Sequence, residues 1–292
     1  MQNIFQGTGV ALITPFTTTG SVDFKALAAL VNHCIDGGID FLVALGTTGE
    51  TATLSDEEQK AVLNCILEAN AGRLPIILGM GGNNTEKLVE QIKKQDFTGI
   101  SGILSVSPYY NKPTQEGIYQ HYMALEKASP LPIIIYNVPG RTGSNISAQT
   151  TLRLAKASAK FVAVKEASGN IHQVMQILKD APENFLVLSG DDNLTLPMMS
   201  CGAKGVISVI AQAYPKIYSD MVDAASSGEF KKAANLHFAL FDITDQIFEQ
   251  GNPAGIKKVL QLMNIVEDKL RLPLVSVDEN LAEKLKNQMA KI

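Results

Sequence analysis

The chain has 292 residues, 46% of them hydrophobic, with 23 glycines and 12 prolines. That is enough for a full-sized core in two domains or in one large α/β barrel. The formal net charge of -4 and the lack of any run of five or more Lys/Arg argue against nucleic acid and anionic membrane as partners.

The opening "MQNIFQGTGV" has no basic region and no long apolar run, and no apolar stretch approaches the ~18 residues of a spanning helix. A soluble, unprocessed, cytoplasmic protein is expected. Cys34, Cys65 and Cys201 lie far apart and are odd in number, which predicts buried reduced thiols rather than disulfides.

In chain order, short apolar runs recur, each followed by a stretch of helical periodicity. The first is "TGVALITP" from Thr8, whose helix is closed by Asp36-Gly37-Gly38. "FLVALG" from Phe41 comes next, and Ser55 before "DEE" then predicts a helix start, with Glu58 completing a capping box. "PIILGMG" from Pro75, "GILSVSP" from Gly102, "PIIIYNVP" from Pro132, "FVAVKEAS" from Phe161, "FLVLSGDD" from Phe185 and "GVISVIA" from Gly205 follow. Such near-continuous apolar strands suit a parallel sheet covered on both faces. Eight strand-helix units over about 220 residues predict a (β/α)₈ TIM barrel of the α/β class rather than an open doubly wound sheet. From Tyr214 onward the pattern is helical, with "AANLHFALFDITDQIFEQ" as its longest stretch. We expect a barrel domain over 1–225 and a C-terminal helical appendage over 226–292, packed on the barrel without a flexible linker.

Barrel chemistry sits at the C-terminal ends of the strands. There the chain carries "GTTGE" (Gly46 to Glu50), "SPYYNKP" (Ser107 to Pro113), "YNVPGRTG" (Tyr136 to Gly143), Lys165 and "SGDD" (Ser189 to Asp192). Hydroxyls, tyrosines, an arginine and a lysine read as an organic-substrate site, with no ligand set for a transition metal and no cofactor motif. "GMGGNN" lacks the last glycine of a dinucleotide fingerprint, and "VAVKE" lacks the companion motifs of a protein kinase. His33, His121, His172 and His237 show no metal spacing and read as structural or surface residues. Asp191 and Asp192 read as a helix N-cap for "NLTLPMM" rather than as a Mg²⁺ site.

Strand alternation puts Phe161, Ala163 and Lys165 on one face. If Lys165 points into the barrel it loses water, its pKa falls from about 10.4, and the neutral amine can attack a ketone. The alternative is a lysine paired with an acid at a strand end. Tyr136 ends a neighbouring strand, where a phenol can shuttle protons or can simply cap a loop. Arg141 lies in a Gly/Pro turn suited to forking a carboxylate, or else stabilises a loop. Thr47 and Thr48 follow Gly46 in a turn able to hold a small carboxylate.

Taken together, "GTTGE", "SPYYNKP", "YNVPGRTG", "VKEASG", "LSGDD" and "GVISV" resemble the dihydrodipicolinate (4-hydroxy-tetrahydrodipicolinate) synthase family, from Gly7 to about Val275. The resemblance implies a class I aldolase-type condensation of pyruvate with aspartate semialdehyde on the way to diaminopimelate and lysine. It makes Lys165 the Schiff-base lysine, with no cofactor, and Tyr136 the proton shuttle. Thr47 would link Tyr136 to Tyr110, which reaches in from a neighbouring subunit of a homotetramer built as a dimer of dimers. It assigns Thr48 to the pyruvate carboxylate, Arg141 to the semialdehyde carboxylate, and Gly190 and Ile207 to backbone contacts. Sialic acid lyases and sugar-acid aldolases of the same superfamily share the lysine and a tyrosine, but typically read "GSTGE" and lack the arginine. A scaffold on a dead barrel would require a broken constellation, and every member is present.

In feedback-inhibited members lysine binds at a subunit interface. The matching positions here are Thr51, Ala52, Asp56, Gln59, Asn83, Lys87 and Tyr109. Lys87 would set a cation against the effector's ammonium, so weak or absent inhibition by lysine is expected. Inhibition at sub-millimolar lysine would overturn this.

Overall fold

The eight apolar runs form eight short strands because both of their faces are covered. In the computed structural model, which describes residues 4–292, these are β1 (Gly7–Ala11), β2 (Phe41–Ala44), β3 (Ile76–Gly79), β4 (Gly102–Val106), β5 (Ile133–Asn137), β6 (Phe161–Glu166), β7 (Leu186–Ser189) and β8 (Gly205–Ser208). All pair in parallel and in chain order, and β8 returns to β1 to close the barrel. One set of side chains fills the interior, among them Ala11, Val43, Ile77, Leu104, Ile134, Ala163 and Leu188. The other set packs outward on the helices, as expected for strands buried on both sides. Phe5 and Phe41 meet edge to face at 6.3 Å inside the barrel. Gly9 leaves room for them, since a Cβ there would fall 2.0 Å from the Phe41 ring.

One strand departs from simple alternation. Ile133 pairs with Phe161 and Ile134 with Ala163, so Val162 is an extra residue in β6. The expected grouping of Phe161 with Ala163 and Lys165 therefore fails. Phe161 turns outward onto the Tyr122 ring, 6.3 Å away, while Ala163 faces the interior.

The helices around the barrel are α1 (Phe24–Asp36), α2 (Asp56–Asn70), α3 (Thr85–Lys94), α4 (Gln115–Ala128), a short α5 (Pro139–Thr142), α6 (Ala148–Ala157), α7 (Ile171–Asp180), α8 (Thr195–Ser200) and α9 (Pro215–Ser226). Caps fix their starts: Ser55 Oγ accepts from the Glu58 N–H at 3.2 Å, and Glu58 returns the bond to the Ser55 N–H at 3.0 Å. Gly38, at φ +87°, lets the chain leave α1 with its N–H on the Ile35 carbonyl. Three further helices complete the chain, α10 (Phe230–Phe248), α11 (Ala254–Leu262) and α12 (Glu279–Met289). No helix among the described residues is long and apolar enough to cross a membrane. The cysteine expectation is corrected in part: Cys34 is buried, Cys65 is half-buried and Cys201 is exposed in the turn after α8.

His121 is buried on α4, its Nδ1 2.8 Å from Thr85 Oγ1. Burial pulls its pKa down from 6.5 to about 4. Between those values the unfolded chain binds the proton and the folded chain resists it, so stability is full above about pH 6.5 and is lost as pH falls toward 4. The loss amounts to about 3 kcal/mol. Melting temperature followed over this window should fall less steeply for His121→Phe than for the wild type.

Candidate active site

β6 ends in Lys165 and Glu166, and alternation sends them to opposite sides of the barrel wall. Glu166 faces outward and is buried. Asn137 Nδ2 donates to both of its oxygens, at 3.0 and 3.1 Å, while Gln173 Nε2 and the Ser168 N–H each donate at 3.0 Å. Burial pushes this carboxylate up, and bonds from Ser168, Asn137 and Gln173 pull it back. Glu166 is thereby committed to tying β5, β6 and α7 together.

Lys165 is 5% exposed. Its Cα pairs with Tyr136 on β5 and Leu188 on β7, and its Nζ lies 4.5 Å from the centroid of the Tyr136 ring. No carboxylate stands within ion-pair distance among the described residues, so the strand-end ion pair, the alternative left open by the sequence, does not form. Asp192 is the acid that feels the Lys165 charge. It is not the helix cap expected from "SGDD": neither Asp191 nor Asp192 makes a side-chain cap. Instead, Asp192 Oδ2 accepts from the N–H groups of Val209 and Ile210, both at 3.0 Å, pinning the end of β8. Burial pushes this carboxyl up, opposed by Ser208, those N–H groups and Lys165.

Gly190 follows β7 against the lysine stem. A Cβ there would lie 2.9 Å from Lys165 Cε and 2.8 Å from Ala167 Cβ, so any side chain would push Lys165 aside. Its N–H donates to the Glu166 carbonyl at 2.8 Å. Ile207 on β8 is buried in the barrel interior, beside Gly9 of β1.

Thr47 and Thr48 sit in a 3₁₀ turn, Thr47–Gly49, directly after β2. Thr47 is exposed and Thr48 buried. Arg141 lies on α5 after β5, exposed and free of ion pairs among the described residues. Tyr110 projects from the β4–α4 loop, 87% exposed and at φ +73°, so its own chain does not bring it to Tyr136. Lys112 of that loop approaches the Arg141 turn, its Cε 3.0 Å from where a Gly143 Cβ would stand.

The positions read as an effector site are held by loop contacts. Thr51 Oγ1 donates to the Gly46 carbonyl at 3.0 Å, Gln59 Nε2 to the Leu54 carbonyl at 3.2 Å, and Asn83 Nδ2 to the Tyr109 carbonyl at 3.3 Å. Asp56 opens α2 and Lys87 lies in the first turn of α3.

Sequence reasoning missed a group that joins the barrel mouth to the C-terminal helices. Asn252 Nδ2 donates to Thr48 Oγ1 at 2.9 Å. Glu50, in the left-handed conformation at φ +52°, pairs with Lys257 of α11, both side chains fully buried. The backbone N–H of Arg271 reaches the other Glu50 oxygen at 3.2 Å, and its guanidinium binds Glu58 and the Gly20 and Thr53 carbonyls. Phe16 lies under both cations, 4.2 Å from Lys257 Nζ and 4.5 Å from Arg271 Cζ. A lysine inside the apolar "AGIKKVLQL" was the one local signal that pointed to this group.

Residues 4–292 match the model of the dihydrodipicolinate synthetase family. A 4-hydroxy-tetrahydrodipicolinate synthase of Flavobacterium psychrophilum is 53% identical over 281 residues, covering 96% of each chain. The crystal structure of dihydrodipicolinate synthase from Thermotoga maritima superposes with a TM-score of 0.96 at 37% identity, covering 99% of both chains. The chloride-inhibited enzyme of Acinetobacter baumannii, solved with pyruvate, gives 0.95 at 39% identity over 98% of both. With a closed eight-stranded barrel, a buried unpaired lysine at the end of β6 and similarity along its whole described length, the chain belongs to the dihydrodipicolinate synthetase family.

Proposed function

We propose that Lys165 carries the chain's reaction as a Schiff-base nucleophile. The activity is that of the family: condensation of pyruvate with aspartate semialdehyde to 4-hydroxy-tetrahydrodipicolinate, in lysine biosynthesis. The observation that carries the residue assignment is a lysine buried at the barrel mouth with no acid partner, its Nζ against the Tyr136 ring.

The Lys165 amine attacks C2 of pyruvate, and Tyr136 hands a proton to the carbinolamine oxygen so that it leaves as water. The resulting iminium loses a methyl proton to give an enamine. The enamine carbon then bonds to the aldehyde carbon of the semialdehyde, whose oxygen takes up the proton. The semialdehyde's amine finally attacks the iminium carbon, closes the ring and releases Lys165. The Thr48 hydroxyl and the turn amides hold the pyruvate carboxylate. Arg141, exposed and unpaired, forks the second carboxylate. Arg141→Ala should raise KM for aspartate semialdehyde by about tenfold to a hundredfold, read in an assay coupled to dihydrodipicolinate reductase and NADPH. Trapping of pyruvate by borohydride should stay at the wild-type level. A loss of trapping equal to the loss of turnover would instead place Arg141 in the first half-reaction.

Tyr110 completes the proton relay through Thr47 from a second copy, within a homotetramer built as a dimer of dimers. Its 87% exposure in a strained backbone conformation supports this. Tyr110→Phe and Lys165→Ala chains, each nearly inactive, should on mixing and reassembly regain about a quarter of wild-type activity, because random pairing makes half the dimers mixed, each with one intact site. No recovery would remove Tyr110 from the neighbour's site.

A further inference from the structure

We propose that Asn252, in the segment between α10 and α11, is a positioning residue for Thr48, fixing the direction of the hydroxyl that meets the keto-acid carboxylate. The proposal rests on the reading that Thr48 binds that carboxylate.

A threonine hydroxyl has one proton to donate and can accept on its lone pairs. Free to rotate, it would spread that proton over several directions. The Asn252 amide nitrogen can only donate, and it stands 2.9 Å from Thr48 Oγ1 with both residues buried. One lone pair of the hydroxyl is thereby taken, and its proton is turned away from Asn252 toward another acceptor. The carboxylate of a bound keto acid is an acceptor of the right charge.

Packing alone does not account for this asparagine. Its Oδ1 is buried without a partner among the described residues, and the bond to Thr48 is the one hydrogen bond described for its side chain. A buried amide satisfied at one end costs stability that an apolar residue of similar size would not. The surroundings are built to make the contact exact in place: Lys257 and the Arg271 N–H hold Glu50, two residues beyond Thr48. The turn is therefore gripped from the same C-terminal segment at two points. Thr48 and Asn252 are 204 positions apart, so the appendage enters the site by way of this amide.

The test is a double-mutant cycle on pyruvate KM, in the coupled assay and in borohydride trapping, with Thr48→Ala, Asn252→Asp and both together. Asn252→Asp keeps the shape and replaces the donor by an acceptor, which draws the Thr48 proton away from the substrate. It should raise pyruvate KM by about tenfold to a hundredfold and leave KM for aspartate semialdehyde near the wild-type value. Added to Thr48→Ala, Asn252→Ala should have no further effect, since the hydroxyl that Asn252 orients is gone. Asn252→Ala, which removes the bond without adding charge, is run in the same cycle in case the aspartate variant does not fold. Effects of Thr48→Ala and Asn252→Ala that add, or an unchanged pyruvate KM in both Asn252 variants, would overturn the proposal. An unchanged pyruvate KM in Thr48→Ala itself would overturn the carboxylate reading beneath it, which the cycle separates from a failure at Asn252 alone.

Discussion

Lys165→Ala should eliminate condensation, with turnover down by about 10⁴-fold or more, and borohydride with pyruvate should leave no adduct on the variant chain. Stability separates this outcome from mere damage. A lysine held by an acid would leave a buried carboxylate unpaired when truncated, and the protein would melt earlier. Lys165 has no such partner, because Glu166 is turned to the far side of the wall and satisfied by Asn137, Gln173 and Ser168. Truncating it breaks no ion pair, so the melting temperature should stay close to that of the wild type while activity vanishes. A stable variant that still forms the pyruvate adduct would remove Lys165 from the chemistry.

The barrel was legible because its strands are buried on both faces, which writes each of them as an apolar run regardless of what it packs against. The positions of the strand-end residues were legible for a related reason: a polar group marks where such a run closes, although alternation decides whether it turns inward, as Lys165 does, or outward, as Glu166 does. What escaped reading depends on partners distant in sequence or on counting within a strand. Val162 adds one residue to β6, and nothing in "FVAVKE" distinguishes a bulged strand from a regular one, so Phe161 was placed on the wrong face. Asp192 looks like a helix cap by its neighbours, and only the return of β8 provides the Val209 and Ile210 amides that it binds. Asn252 and Lys257 meet Thr48 and Glu50 from the far end of the chain.

The buried Glu50–Lys257 pair should be the most sensitive joint in the molecule. Lys257→Met leaves the Glu50 carboxylate in the dry layer between the barrel and α11, where an unpaired charge costs about 3–5 kcal/mol. For a chain of this size the melting temperature should drop by roughly 10 °C. Glu50→Gln should cost less, because Lys257 has another way out. Burial already pulls its ammonium down to about 8 with Glu50 beside it, and without that carboxylate the amine can shed its proton. The sign follows from the depressed value: above the folded pKa the unfolded chain holds more protons than the folded one, so stability rises with pH. The deficit of Glu50→Gln should therefore shrink as pH rises toward about 8 and level off above it, where the wild-type amine sheds its proton too, whereas that of Lys257→Met should not shrink. Lys257→Met with Glu50→Gln, which removes both charges and keeps an acceptor for the Arg271 N–H, should recover most of the lost stability. If Lys257→Met melts with the wild type, the pair contributes nothing to holding α11 on the barrel. If the double variant is stable but still binds pyruvate weakly, the charges serve the Thr47–Gly49 turn rather than the fold, and the C-terminal helices are present in part to shape the site.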